Sequence, residues 1–198
     1  MHPMITTISL SLPNWIDTFL AVRPSVFPTR ASRMQLAIDL SAENSAQGTG
    51  GPFGSAIFES DSGRLVSVGV NRVVPEKSSC AHGEVMAILM AQASLNSFDL
   101  GAQGFPPHEL HTSAQMCGMC LGAVLWSGVR SVVFGASRDD VLTLTGFDEG
   151  PIHPQWETEF ASRGISVFGP FLQAEAATVL KHYATLGGTI YNSRNSSK

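Results

Sequence analysis

The sequence predicts an α/β protein, a three-layer α/β/α sandwich around a mixed sheet of roughly five strands. Two observations predict it. The run ELHT (109–112), GMCLGAVLWSG (118–128), SVVFG (131–135) reads as strand, helix, strand, with lengths that suit a right-handed crossover between parallel strands. Upstream, GSAIFE (54–59) and LVSVGV (65–70) flank the turn SDSG and read as an antiparallel hairpin. Parallel and antiparallel pairing in one chain require a mixed sheet.

The remaining elements follow in order. Residues 1–29 carry prolines at 3, 13, 24 and 28 and read as an arm packed on a domain spanning 30–186. Residues 30–47 place Met34, Ala37, Ile38 and Leu40 near one helical face, and GTGG (48–51) ends that helix. Residues 82–97, HGEVMAILMAQASLNS, are hydrophobic nearly all round, which is the pattern of a buried helix; the only ionisable groups are His82 and Glu84, both in the first turn. Residues 99–107 read as a loop, as do 137–150. Residues 155–163 suit a short helix, ISVFG (165–169) an edge strand and 173–186 a last helix. The tail, 187–198, is polar and reads as a segment that is either mobile or docked on the domain.

Composition narrows the partners. The chain has 198 residues and a net charge of −4, which suits one domain and disfavours a general polyanion binder. No Lys or Arg lies between Lys77 and Arg130, so the stretch richest in candidate ligands has no cations for a phosphate backbone, although tail residues such as Arg194 could act elsewhere. A small neutral substrate is expected, with no nucleic acid and no membrane as partner. Three cysteines, two of them in a C-x-x-C, do not form a disulfide framework and fit a reducing compartment, the cytoplasm by default. The N-terminal stretch lacks the basic and apolar regions of a signal peptide.

The chemistry gathers at the starts of two apolar helices. His82 opens one; Cys117 and Cys120 open the other, three residues apart and hence on one face. Alone, the C-x-x-C suits packing or a redox pair as well as a metal. Together, one imidazole and two thiolates make three zinc ligands with a fourth position open, the arrangement of catalytic sites. Cys80 is the candidate for closing that position as a structural site, but it reads better as a small buried hydrophobe. Glu84, two residues past His82, stands where a carboxylate can carry a proton between water and a substrate nitrogen.

These residues resemble the cytidine-deaminase-like zinc deaminases, whose signature is H-x-E…P-C-x-x-C. The likeness is strongest to the guanine deaminase branch. It rests on GGPFGSAIF, ending at Phe58, on NRVVPEKSSCAHGEVMAI (71–88), on TSAQMCGMCLGAVLWSGV (112–129) and on GFDEGP (146–151). The resemblance implies a single Zn2+ per subunit held by His82, Cys117 and Cys120, with Glu84 as proton shuttle and Glu149 assisting the leaving amino group. It also implies substrate contacts from Asn71, whose amide offers donor and acceptor, from Phe53, Trp126 and Phe147 as walls of a flat slot, from Asp148, and from Tyr191 on the closing tail. A homodimer is typical of the family. Three positions depart from the pattern: Gln115 and Met116 replace Glu-Pro, and Gly83 replaces Ala. The expected function is hydrolytic deamination of guanine to xanthine. The alternatives are another nucleobase, nucleoside or aminotriazine deaminase, or a zinc-stabilised scaffold without turnover.

Overall fold

The computed structural model describes residues 4–193. Pro3 and Arg194 lie outside the described residues. Five strands form one sheet in the order β2-β1-β3-β4-β5, comprising β1 (Gly54–Glu59), β2 (Leu65–Val70), β3 (His108–Ala114), β4 (Ser131–Ala136) and β5 (Ser166–Phe168). β1 pairs antiparallel with both β2 and β3, while β3–β4 and β4–β5 are parallel. The sheet is therefore mixed, as the hairpin and the crossover require.

Helices cover both faces. On one lie α2 (Arg30–Ala46), α6 (Arg138–Thr145) and α8 (Gln173–Thr185), whose Met34, Ala37, Val141 and Leu180 bury against Val133 of the sheet. On the other lie α4 (Gly83–Leu95) and α5 (Gly118–Ser127). Their Ala87, Ile88, Leu121 and Val124 pack with Ile57, Leu110 and Val132, joined by Phe160 of α7 (Trp156–Ser162). The alternation of Ile57 with Ala56 and Phe58, which join the cluster beneath α2, is the period-2 signature of a strand buried on both sides.

The N-terminal segment holds a short helix, α1 (Trp15–Ala21), and Ile16 and Phe27 bury with Leu36 and Phe58. A one-turn helix, α3 (Val73–Glu76), follows β2. The expected loop at 137–150 is in fact half helix. Ser137 caps α6 by accepting from the Asp140 N–H, and the Asp140 side chain accepts from the Ser137 N–H in return. Cys80 also departs from expectation, because it is exposed. It sits in the short turn before α4, where no apolar partner covers it.

At the end of the sheet remote from the Ala114–Ala136 pair, Arg33 and His111 converge on Glu109. The Arg33 guanidinium donates to Glu109 Oε1 at 2.6 Å and to the Phe27 and Ser60 carbonyls, and His111 Nε2 lies 2.7 Å from the same carboxylate oxygen. Burial alone would raise the Glu109 pKa, but hydrogen bonds from His111 and Arg33 hold it below its usual value. Burial lowers that of His111 more than Glu109 restores it. Both native pKa values are thus depressed, so the unfolded chain takes up protons first and stability falls as pH drops through the histidine and then the carboxylate range. Glu109→Gln is expected to cost about 3 kcal/mol or more at neutral pH, because Arg33 is left buried without its counter-charge. Its loss of stability on acidification should be shallower than that of the wild type, as checked by urea unfolding at neutral and acidic pH.

Candidate active site

The helix starts lie at one end of the sheet. β3 and β4 end there at Ala114 and Ala136, and β1 begins there, since Ser55 pairs with Thr112. Open α/β sheets bind ligands beyond the carboxyl ends of their parallel strands. His82 occupies the N-cap of α4 and Cys117 the N-cap of α5, both in extended conformation and neither making a side-chain cap hydrogen bond. Their side chains turn toward each other instead.

His82 Nδ1 stands 3.6 Å from Cys117 Sγ and 3.6 Å from Cys120 Sγ. One imidazole nitrogen carries at most one proton and cannot serve two sulfurs as a donor. A shared cation can. For tetrahedral zinc with bonds of about 2.3 Å to sulfur and 2.0–2.1 Å to nitrogen, the S···N edge comes to roughly 3.6 Å. The three ligand atoms lie within 4.8 Å of one another, and Cys80 is not among them. The donor set fits zinc with one open position.

Electrostatics match this donor set. The Cys120 thiol and, against the effect of its own burial, the His82 imidazole draw the Cys117 pKa down to about 4. Its thiolate and burial push Cys120 well up, as expected for two thiols sharing one proton when no metal compensates the second. Both helices begin at this cluster, and the positive ends of their dipoles favour anions there.

Two carboxyls flank the ligands, and both are buried. Desolvation, reinforced by the Cys117 charge, raises the Glu84 pKa to about 7. Desolvation, with Cys117 and Glu84 nearby, raises that of Glu149 to about 8. Glu149 is held by its own backbone, for its carbonyl accepts from Gly118 N at 3.0 Å, at the first turn of α5. A Cβ on Gly118 would come within 2.7 Å of the Pro151 carbonyl, so the helix and the 149–151 loop touch only because residue 118 has no side chain.

A cavity of about 160 Å³ opens over these groups, lined by Phe53, His82, Glu84, Gln115, Cys117, Phe147, Asp148, Glu149 and Tyr191 among others. Drug-sized sites span about 300–1,000 Å³, so this one suits a single small ring system. Phe147 stands 5.2 Å from the Phe53 ring and 4.8 Å from that of Tyr191, centroid to centroid. The Tyr191 hydroxyl is buried with no hydrogen-bond partner among the described residues. Asn192 ties the tail to the cavity rim, as its Nδ2 donates to the Gly146 carbonyl and its Oδ1 accepts from Asp148 N.

Three expected contacts change. Trp126 is not a wall of the cavity: it is 86% exposed on the outer face of α5. Cys117, Cys120, Leu121 and Val124 form the inward stripe, and Trp126, six residues past Cys120, falls well off it. Asp148 reaches the rim but is exposed, and its Oδ1 accepts from Gly150 N. Asn71 is buried at the end of β2, but its Oδ1 already accepts from Gly51 N and Val73 N, so only the Nδ2 donor remains. Asn192 is not legible in the sequence, whereas the exchange at Gln115, which keeps a similar shape, loses a charge and implies altered substrate preference or rate without loss of zinc, lies on the cavity wall.

Residues 29–136 match the family model of the cytidine and deoxycytidylate deaminase zinc-binding region, and the chain belongs to that family. Within it, the chain is a zinc-dependent deaminase of guanine deaminase type. It is 32% identical to the guanine deaminase of Bacillus subtilis over 71% of this chain and 82% of that protein. It is 31% identical to a probable cytosine deaminase of Schizosaccharomyces pombe over 63% and 74%. The solved guanine deaminase of Nitrosomonas europaea superposes with a TM-score of 0.86 at 42% identity, over 92% of this chain and 99% of that one. A structure solved in complex with 2,6-diaminopurine superposes with a TM-score of 0.87 at 44% identity, over 95% and 98%.

Removal of zinc is expected to lower thermal stability, since a metal at a thousand times its Kd contributes about 4 kcal/mol. Cys117→Ser should lose most of the bound zinc. Elemental analysis and a melting curve before and after chelation check both.

Proposed function

We propose that this protein hydrolyses guanine to xanthine and ammonia. The observation that supports this most is the buried Glu84 carboxyl beside a three-ligand zinc site, under a small aromatic-walled cavity. A scaffold has no use for a carboxyl whose burial is opposed by desolvation. The cavity volume favours a free base over a nucleoside.

Zinc held by His82, Cys117 and Cys120 supplies Lewis-acid activation of water near neutral pH. Glu84, buried beside the ligands, would accept a proton from the attacking water and deliver it to the ring nitrogen beside the amino-bearing carbon. The water oxygen bonds to that carbon, its remaining proton passes by way of Glu84 to the amino group, and the C–N bond breaks to release ammonia. Glu149, also buried beside the ligands, lines the cavity where it faces the departing amino group. Phe53, Phe147 and Tyr191 hold the plane of the base, and the Asn71 Nδ2 donates to its edge. Asp148 shapes the rim through its turn. Ammonia release should fall by about 10²- to 10⁴-fold in Glu84→Ala with zinc retained. A panel of guanine, guanosine, adenine, cytosine, cytidine and ammeline identifies the substrate. Turnover of another member in place of guanine would replace this reading, and no turnover of any would return it to a scaffold.

A homodimer completes the reading. Met119, Gly122, Ala123 and Trp126 recur at i, i+3, i+4 and i+7 on the outer face of α5, with Met119 and Trp126 exposed and open space above Gly122. A bulky ring and an open glycine on one helix are self-complementary about a two-fold axis. Sedimentation velocity should show a dimer for the wild type and a monomer for Trp126→Glu. Unpaired thiols beside the site suit the reducing cytoplasm. Among the described residues, no helix is long and apolar enough to cross a membrane.

A further inference from the structure

Asn44 lies in the last turn of α2, fully buried, and is not itself among the residues that line the cavity. Its Nδ2 donates to two carbonyls from separate segments, that of Gly51 at 2.8 Å and that of Asn71 at 2.9 Å. Its Oδ1 accepts from the Thr49 hydroxyl at 2.8 Å, and that hydroxyl accepts in turn from Nε1 of Trp15 in α1 at 2.9 Å. The amide is therefore oriented from both ends. Carbonyls only accept and an indole N–H only donates, which leaves the Thr49 hydroxyl its own hydrogen for Oδ1. The segment held in this way carries a wall of the cavity. Phe53 N donates to the Gly51 carbonyl at 2.8 Å, and Asn71 N donates to the Phe53 carbonyl at 3.0 Å, so the Gly51–Phe53 turn and the end of β2 close a ring through Asn44 Nδ2. A Cβ on Gly50 would collide with the Asn71 carbonyl and come within 2.7 Å of Asn44 Nδ2, which shows how closely the loop is drawn in. Phe53, at the end of that turn, lines the cavity with its ring 5.2 Å from that of Phe147.

We infer that Asn44 is a positioning residue for base binding: it touches no substrate, but holds the Gly51–Phe53 turn against the end of β2 so that the Phe53 ring meets the plane of the bound base. This rests on the proposed deamination of a planar base. Thr49 and Trp15 act one step further back, by fixing which way the Asn44 amide points.

The test compares KM and kcat for guanine in the zinc-loaded wild type, Asn44→Ala, Thr49→Val, Thr49→Ser and Glu109→Gln, with zinc content and melting temperature measured for each. Asn44→Ala should raise KM at least about tenfold, equivalent to 1.4 kcal/mol, with kcat per bound zinc little changed, because a wall that holds the base alike in ground and transition state acts on KM. The inhibition constant of xanthine, the expected product, should rise by the same factor. Thr49→Val keeps the shape but removes the hydroxyl that orients the amide, and should move KM in the same direction; Thr49→Ser should restore it. Glu109→Gln, destabilised at the opposite end of the sheet, should leave KM where it is. If Asn44 serves only the fold, Asn44→Ala and Thr49→Val will lower the melting temperature and leave KM of the folded, zinc-loaded protein unchanged, which would overturn the inference. Should Asn44→Ala fail to fold, the two Thr49 variants decide the matter. If the wild type deaminates another base of the panel and not guanine, the guanine reading falls and the same KM comparison is made with that base; no turnover of any base overturns both.

Discussion

The molecule turns on the meeting of two helix N-termini at one end of the sheet. Neither α4 nor α5 is capped by its own N-cap side chain; His82 and Cys117 spend those side chains on each other and on Cys120. The first-turn amides, normally satisfied by a cap, supply a positive field for thiolates. That arrangement needs α4 and α5 side by side and pointing the same way, which the parallel β3–α5–β4 crossover and the strand order impose. The sheet edge places the ligands, and the ligands place the chemistry.

The same end of the fold explains why two carboxyls there have raised pKa values. Both are buried beside a thiolate, and both pKa values rise toward or above neutrality, whereas Glu109 at the opposite end, buried to a similar degree, is held charged by Arg33 and His111. Burial alone does not decide the state of a carboxyl; the sign of its neighbours does. One end of the sheet holds a charge-paired carboxylate, and the other gathers two carboxyls around the metal-ligand cluster.

Much of this was legible before any coordinates. The hairpin, the crossover and the buried helices follow from hydrophobic period and length, and the zinc ligands from the pairing of H-x-E with C-x-x-C. What escaped did so for identifiable reasons. Helix α6 buries only Val141, so its apolar period is weak, although Ser137 and Asp140 spelled out a capping box. Trp126 sits in a motif that fixes order along the chain but not direction around a helix; counting its phase against Cys120 and Val124 would have turned it outward. The apolar run of α5 does not show that one of its faces packs on the sheet while the other is open. Cys80 was expected inside on the habits of its residue type, and the turn that carries it lies on the surface. Asn192 could not be found at all, because only the folded tail brings it beside Gly146.

The absent side chain at Gly118 has a consequence for how such a protein can diverge. Surface loops ordinarily tolerate insertions. The 146–151 loop has no such slack, since its main chain lies against the first turn of α5 without room for a methyl group and its first residue is tied to Asn192. Its length is as constrained as that of a strand. New selectivity on this scaffold must come from exchanging one side chain for another of the same size around an unaltered frame, and the glutamine that follows β3 is an exchange of that kind.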